Sequence, residues 1–269
     1  MHKEKWSHLL YRDLTRERHA LAFLLPQTTS FAVMETDLLT EYERYLRVPE
    51  LLALQKPIEA RHHTDELLFQ VVHQVEELWM KAAIDEVGRV IELLERGSGE
   101  KGAGESLELA RSGLHRIYLI EKLMCDQLHL LETMAPIAYF HIRAGLGKGS
   151  GLESPGFNHM LRAVPQIDEA FARICAARKV EVIDLLRNPD ADRMLFAIAE
   201  AMVDVDAAFQ RFRSVHLSLV KRTIGAGTPS LKGNPIELLE RNAQREFFPR
   251  LWQAREMLFR DFVPGELEA

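Results

Sequence analysis

The sequence predicts an all-α fold from three observations. The chain has 269 residues, of which 47% are hydrophobic, so it can bury a sizeable core as one large domain or two small ones. Its eleven Pro and fifteen Gly cluster in a few places, which leaves long runs of good helix formers such as Ala, Leu, Glu, Arg and Met. Within these runs, apolar residues recur at steps of three and four, as on the buried face of a helix. We therefore expect a helical bundle.

Charge and cysteine usage restrict the function classes. The formal net charge is −6 and no basic block offsets it, so we expect neither a nucleic-acid partner nor binding to an anionic membrane. The apolar run at residues 20–25 is too short to cross a bilayer and follows a mixed-charge segment, unlike a signal peptide. Cys125 and Cys175 lie in helix-like runs without a C-x-x-C partner, as reduced and buried thiols do. These features indicate a soluble, cytoplasmic protein.

The chain is predicted to consist of an arm and one domain. Residues 1–35 mix charged and apolar residues without a sustained period, so we expect an N-terminal arm that packs on a neighbour or is partly mobile. Residues 36–269 contain no internal repeat and no long linker, so we expect a single helical domain. Its first helix carries Tyr42, Tyr45 and Leu46 on one face, which alone would indicate core or interface side chains.

A long helix is predicted to begin at residues 62–66, with Thr64 as its cap, and to end at Gly97. Phe69 and His73 lie together on the flank of its predicted core-facing stripe, which comprises Leu68, Val71, Val72, Val75, Leu78, Trp79 and Ala82. The two His and two acids at the start of this helix do not indicate a metal site. Adjacent His side chains diverge on a helix, and no H-E-x-x-H spacing is present.

A second long helix, at residues 105–134 and antiparallel to the first, is predicted from Leu114, Ile117, Leu123, Met124, Leu128 and Leu131. Pro136 then begins a helix on which Tyr139 and Arg143 share a face. A guanidinium beside a phenol can grip a carboxylate through two hydrogen bonds. A surface Arg beside a half-buried Tyr is the alternative, and the spacing alone leaves both open. The Gly-rich loop at 145–156 can approach a bound group closely.

The third long helix is predicted to end at Gly225, after helical segments at 157–188, broken near Pro165, and a turn at 188–190. Its buried stripe contains His216 together with Ile198, Met202, Val205, Phe209, Phe212, Leu219 and Thr223. A histidine on an apolar face is either a hydrogen-bonded core residue or a ligand, and the stripe alone leaves both interpretations open.

Two segments resemble motifs of the tryptophan 2,3-dioxygenase family. Residues 62–81, which read HHTDELLFQVVHQVEELWMK, are similar to the most characteristic motif of that family. Residues 134–143 (MAPIAYFHIR) and 146–151 (LGKGSG) are similar to its Met-Thr-Pro-x-x-Tyr-x-x-Phe-Arg and Leu-Gly-x-x-Ser-Gly motifs.

The end of the third long helix extends the resemblance. His216 is followed by Val220, Arg222 and Gly225, the spacing of the family's haem-ligating helix. The segment at 248–252 resembles the closing Phe-Pro-x-Leu-Trp of the family. The motifs keep the family's order and cover roughly residues 36–258.

The resemblance implies an all-α haem protein of the tryptophan 2,3-dioxygenase type, a homotetramer that binds haem b (iron protoporphyrin IX). It makes His216 the axial ligand of the haem iron and places Gly151 in a turn that passes over the haem. Tyr42, Tyr45 and Leu46 match a segment that, in the family, closes the active site of a neighbouring subunit.

The same resemblance implies how the substrate is held. His73 corresponds to the distal histidine that contacts the indole nitrogen of the substrate rather than the iron, and Phe69 lines the distal pocket. Arg143 corresponds to the residue that binds the substrate carboxylate, with Tyr139 in the pocket wall. The implied partners are a small aromatic amino acid and dioxygen.

The chain departs from the family in two places. Where the family has a Gly-Thr-Gly-Gly loop that holds the substrate's amino-acid head, this chain has Thr228-Pro229-Ser230 in a loop shorter by about two residues. Thr228 is the preferred counterpart of the family's Thr, with Ser230 as the second choice. Residues 212–216 read Phe-Arg-Ser-Val-His, where the family has Trp-Arg-Phe-Arg-His.

The resemblance implies insertion of dioxygen into the indole ring of tryptophan or a derivative, giving a product of the N-formylkynurenine type. The altered loop keeps open a haem-dependent monooxygenase or hydroxylase that acts on a modified tryptophan or another aromatic amino acid in secondary metabolism. A non-catalytic haem carrier or sensor would need His216 but not the pair Tyr139 and Arg143, and a haem-free helical bundle would need neither.

Overall fold

The structure, a computed structural model, describes residues 39–99, 103–147, 149, 151–227, 240–241 and 243–263. These residues form α-helices and two short 3-10 segments, Ile58–Ala60 and Gly151–Glu153, and no β-strand, so the all-α prediction is confirmed. The chain separates into two units, Met1–Leu54 and Gln55–Ala269. The predicted boundary at residue 35 lies outside the described residues and stays a prediction.

The described part of the first unit contains two short helices, α1 (Glu41–Leu46) and α2 (Val48–Leu52). A capping box begins α1: the N–H of Glu43 donates to the hydroxyl of Thr40, and the N–H of Thr40 donates to the carboxylate of Glu43. Arg47 adopts a left-handed conformation, with φ of 53°, which ends α1 and redirects the chain into α2.

The second unit is built around three long helices, α3 (Glu66–Gly97), α4 (Ala103–Leu131) and α9 (Arg193–Ile224). The middle helix, α4, packs extensively against both others. It runs antiparallel to α3, as predicted, because Gly97 at the end of α3 lies against Leu107 near the start of α4. The side chains between the three helices are excluded from solvent, and each buried Leu, Ile, Phe or Met contributes roughly 1.5–3 kcal/mol.

Five shorter helices complete the described part of this unit: α5 (Pro136–Gly145), α6 (Pro155–Ala163), α7 (Gln166–Arg178), α8 (Val182–Arg187) and α10 (Pro249–Phe262). Proline begins α5, α6 and α10, where its fixed φ suits the first turn and its missing N–H needs no partner. The helices α6 and α7 pack on α3, α5 contacts α9, and α8 contacts α10. None of the described helices has the length and apolar character needed to span a bilayer.

The stripe predicted to face the core on α3 is partly wrong. Val71 and Leu78 are 38% and 50% exposed, and Ala82 is exposed as well. Val72 is buried as predicted, and the rest of the buried face in this part of α3 carries Glu76, Met80, Ala83, Glu86 and Val87. Glu76 and Glu86 therefore occupy positions that an apolar pattern assigns to the surface. The hydrophobic period was misread because two of the core positions on this helix are acidic.

Three smaller expectations also differ from the structure. Asp65, not Thr64, precedes α3, and its side chain makes no capping hydrogen bond. Leu123 on α4 is 48% exposed because it lies on the face away from α3 and α9. The break near Pro165 is present between α6 and α7, but a second break at Lys179, with φ of 55°, was not predicted.

Candidate functional site

The side chains of Phe69, His73 and Tyr139 lie together in the structure. Phe69 and His73 are one turn apart on α3, and their ring centroids are 4.1 Å apart. Tyr139 approaches from α5, with its ring centroid 6.1 Å from that of Phe69. Arg143 follows Tyr139 by one turn of α5 and is half-buried. Two motifs, at residues 62–81 and 134–143, thus contribute to one aromatic wall.

The hydrogen bonding of His73 defines its tautomer. Its Nδ1 lies 2.7 Å from the carbonyl oxygen of Phe69, and a carbonyl only accepts hydrogen bonds, so Nδ1 carries the proton. Burial lowers the pKa of His73, although the Phe69 carbonyl and the charge of Glu77 oppose that shift. His73 is therefore a neutral imidazole at neutral pH, and its Nε2 is a hydrogen-bond acceptor.

His216 lies on α9 and is half-buried. Burial lowers the pKa of His216 to about 4, and the nearby His73 makes a smaller contribution to the same shift. His216 is therefore a neutral imidazole at neutral pH. The ring of Phe212 stacks on His216 at 6.5 Å.

The His216 imidazole fits a haem iron better than it fits a site built from several side chains. Within the described ranges, no hydrogen bond engages its ring, and no group of three or more His, Cys, Asp or Glu is arranged to hold a metal ion. A haem supplies four nitrogen ligands itself and needs one neutral imidazole from the protein. The hydrogen-bonded core histidine, the alternative left open by the sequence, is thus not favoured.

The turn that contains Gly151 is fastened to α3 beside His73. Glu77, one turn after His73, accepts hydrogen bonds from the hydroxyl of Ser154 and from the N–H of Gly156, the latter at 3.0 Å. Gly156 is required by this close approach, since an added Cβ would lie 2.7 Å from the Glu77 Oε2. Gly151 begins the 3-10 segment immediately before Ser154 and is exposed.

A cleft of about 260 Å³ lies where α5 begins and α9 ends. Its lining residues are Leu131, Glu132, Thr133, Met134, Ala135, Pro136, Arg222 and Thr223. Gly225 ends α9 with φ of 80°, a left-handed conformation that glycine adopts without steric cost. A turn at residues 226–227 follows. Thr228 and Ser230 lie outside the described residues, so their roles stay predictions.

The three predicted residues of α1 are exposed in the first unit. Tyr42, Tyr45 and Leu46 are 70%, 88% and 44% accessible, respectively. These exposures exclude a core role for them within the described part of that unit, which leaves the interface interpretation.

The sequence did not single out Glu76, which follows His73 by three residues on the same side of α3. Its side chain is buried, and its Oε1 has no hydrogen-bond partner among the described residues. Burial and the charge of Glu77 raise the pKa of Glu76 to about 8, so this carboxyl is protonated at neutral pH. The available signal was its spacing of four from Val72 and Met80, which puts an acid within an apolar stripe.

Comparison with known proteins gives a consistent family. The sequence model of the family described as tryptophan 2,3-dioxygenase matches residues 29–166. The chain is 31% identical to a tryptophan 2,3-dioxygenase of Anaeromyxobacter dehalogenans, over 81% of this chain and 96% of that protein. It is 29% identical to that of Caulobacter vibrioides, over 81% and 98%. It is 28% identical to that of Erythrobacter litoralis, over 80% and 97%.

Proposed function

Because this chain belongs to the tryptophan 2,3-dioxygenase family, we propose that it is a haem-dependent oxygenase acting on the indole ring of tryptophan or of a tryptophan derivative. The family makes the chain an oxidoreductase. The observation that carries the proposal for this chain is that the rings of Phe69, His73 and Tyr139 meet in one aromatic wall, while the half-buried imidazole of His216 makes no hydrogen bond among the described residues.

His216 holds the haem, for which we propose haem b, through its neutral imidazole. The stacked ring of Phe212 would support the orientation of that imidazole. Glu77 fastens the turn at Gly151 to α3, one helical turn after His73. When bound, the haem supplies the iron at which dioxygen is activated. The protein supplies the enclosure and the position of the substrate.

The substrate is held at both of its ends. The Nε2 of His73 accepts a hydrogen bond from the indole N–H, since Nδ1 already donates to the carbonyl of Phe69. The guanidinium of Arg143 binds the carboxylate of the amino acid through two hydrogen bonds. The rings of Phe69 and Tyr139 pack against the indole between these two contacts. A hydroxyl from Thr228 or Ser230 completes the binding of the ammonium group.

Absorption spectra of two histidine variants test this arrangement. Protein produced with adequate haem supply should show a strong Soret band, and His216→Ala should lose the haem or bind it weakly. His73→Ala should keep the Soret band but lose activity toward tryptophan, because its imidazole contacts the substrate and not the iron. An unchanged Soret band in His216→Ala would refute the axial assignment, and full activity in His73→Ala would refute the substrate assignment.

A second candidate function follows from the loop at Thr228-Pro229-Ser230. Pro229 removes a backbone N–H and restricts Thr228, so this loop cannot repeat a clamp made from successive N–H groups of a Gly pair. A pocket changed in this way suits a modified tryptophan or another aromatic amino acid, on which a haem-dependent monooxygenase or hydroxylase would act. The pair Tyr139 and Arg143 disfavours a haem carrier or sensor, which has no amino-acid substrate to bind.

We propose further that the enzyme is a cytoplasmic homotetramer. The exposed Tyr42, Tyr45 and Leu46 would then complete the active site of a neighbouring subunit, as the matching segment does in the family.

A further inference from the structure

Asp206 is a buried carboxylate that fastens the start of α10 to α9. Its side chain has no accessible surface, and its Oδ2 accepts hydrogen bonds from the N–H groups of Phe247 (2.9 Å) and Phe248 (3.0 Å) and from the indole Nε1 of Trp252 (2.9 Å). Its Oδ1 accepts a fourth bond from Gln210 at 3.1 Å. Phe248, the residue before α10, makes no capping hydrogen bond with its side chain. Asp206, which lies on α9, instead accepts the hydrogen bonds of the N–H groups at this helix start.

The rings beside this anchor form a column that ends at His216. Phe247 stacks on Phe209 with centroids 4.9 Å apart, Phe209 contacts Phe212 at 5.8 Å, and Phe212 stacks on His216 at 6.5 Å. All three distances lie in the range of favourable aromatic contacts. Phe209, Phe212 and His216 follow each other at steps of three and four on α9, so the column runs along one face of this helix.

Arg213 holds the same segment from its other side. Its buried guanidinium lies 5.0 Å from the centroid of Phe209 and 5.5 Å from that of Phe247, and it donates a hydrogen bond to the carbonyl oxygen of Arg245. Glu121, the other acid near this cluster, is fully buried, and burial together with the charge of Asp206 raises its pKa well above the usual range. Glu121 is therefore uncharged.

We propose that Asp206 is a positioning residue for His216: by fixing Phe247 against α9, it holds the column Phe247–Phe209–Phe212, against which the imidazole of His216 rests. The proposal depends on the proposed role of His216 as the haem ligand. Among the described residues, the imidazole of His216 is constrained by its ring contact with Phe212, since none of these residues forms a hydrogen bond with it. A ligating imidazole must keep its ring plane, so loosening the column weakens the bond to iron.

The test compares Asp206→Ala, Phe212→Leu and the double variant in the haem-loaded protein. The readouts are the rate of haem transfer to an excess of haem-free myoglobin and the iron–histidine stretching band in the resonance Raman spectrum of the ferrous protein. Each single variant should release haem roughly tenfold faster and shift the band, as expected for the loss of about 1.4 kcal/mol. The double variant should be no faster than the faster single variant, because both changes interrupt one column.

Asp204→Ala is the matched control, since Asp204 lies on the exposed side of the same helix. It should leave the release rate and the band unchanged.

If Asp206→Ala does not fold, Trp252→Phe, which removes one donor to Asp206, replaces it. Unchanged haem release and an unchanged band in a folded variant would reduce Asp206 to a structural anchor and overturn the proposal. If the double variant released haem faster by the product of the two single effects, Asp206 and Phe212 would act independently, and this result would also overturn the proposal. A wild-type protein without haem would instead refute the proposed function, and this proposal with it.

Discussion

Arg143 is the residue that we propose distinguishes an amino-acid substrate from a plain indole. Its guanidinium has the planar fork that matches a carboxylate, and it stands one turn beyond Tyr139, whose ring borders the wall formed by Phe69. Lysine keeps the positive charge at this position but cannot form the paired hydrogen bonds. The role of Arg143 can therefore be tested without changing the net charge of the site.

Arg143→Lys should raise the KM for the amino-acid substrate by about a hundredfold, because breaking a charge-assisted bidentate contact at a desolvated site costs roughly 3 kcal/mol. The Soret band should not change. Arg193→Lys, at a side chain that is 81% exposed, serves as the control and should leave KM unaltered. The same KM for Arg143→Lys and the wild type would exclude this residue as the carboxylate-binding group.

Glu76 should make the free energy of unfolding depend on pH between 4.5 and about 8, which is above the range in which carboxyl groups usually titrate. Its pKa is raised from 4.5 to about 8 in the folded protein, so between these values the folded state binds more protons than the unfolded state. Stability then decreases as the pH rises through this interval and is highest below pH 4.5, where both states are protonated.

Glu76→Gln, a neutral substitute of similar shape, should remove this dependence. The variant should be more stable than the wild type at pH 8, by up to about 4 kcal/mol from the size of the shift, and nearly equal to it at pH 5. Denaturant unfolding at the two pH values measures the difference, with Glu92→Gln at an exposed position of α3 as the control. Equal stability of the variant and the wild type at pH 8 would show that Glu76 is charged and solvated.

At the scale of elements, the helices differ in how well their buried faces could be predicted. On α9, Ile198, Met202, Val205 and Phe209 are buried as the period of the sequence indicates, although Asp206 and Arg213 are buried on the same helix. On α3, the acids Glu76 and Glu86 lie on the buried face, where the pattern places only apolar side chains. Glu86 has a partner on another helix, Arg116 of α4, which donates to it at 2.6 Å. Such partners have no signal in local periodicity.

The loop that follows α9 is the element where this chain departs most from its family. With Pro229 in place of a glycine, we expect the amino-acid head to be held more by Arg143 and a hydroxyl of Thr228 or Ser230, in a pocket of different width. We expect slower turnover of L-tryptophan than of a ring-substituted or methylated tryptophan or a related aromatic amino acid. Measuring kcat/KM for L-tryptophan and for this series of substrates tests the expectation. A clear preference for plain L-tryptophan would show that the shorter loop preserves the family's specificity.

At the scale of the whole molecule, the proposed site is assembled from distant segments of one chain. The sequence motifs singled out Phe69, His73, Tyr139, Arg143 and His216 as candidates, and the structure brings the rings of the first three into contact. The contacts between Asp206 and Phe247, forty-one residues apart, could not be predicted. They form only when the start of α10 packs on α9, and local patterns in a single sequence do not predict this packing. The sequence thus predicted the helices and several site residues, but not the buried polar contacts that hold them in place.

The central claim, that this protein transfers dioxygen to an indole ring at a haem held by His216, is tested most directly by mass spectrometry of the product formed under ¹⁸O-labelled dioxygen. Wild-type protein with haem, a reductant to prepare the ferrous state, and L-tryptophan or a substituted tryptophan should give a ring-opened, N-formylkynurenine-type product in which both new oxygen atoms are labelled. His216→Ala should give no such product. A product that carries one labelled oxygen would contradict dioxygenation and establish the monooxygenase instead, and a labelled product formed equally well by His216→Ala would contradict the account of the site.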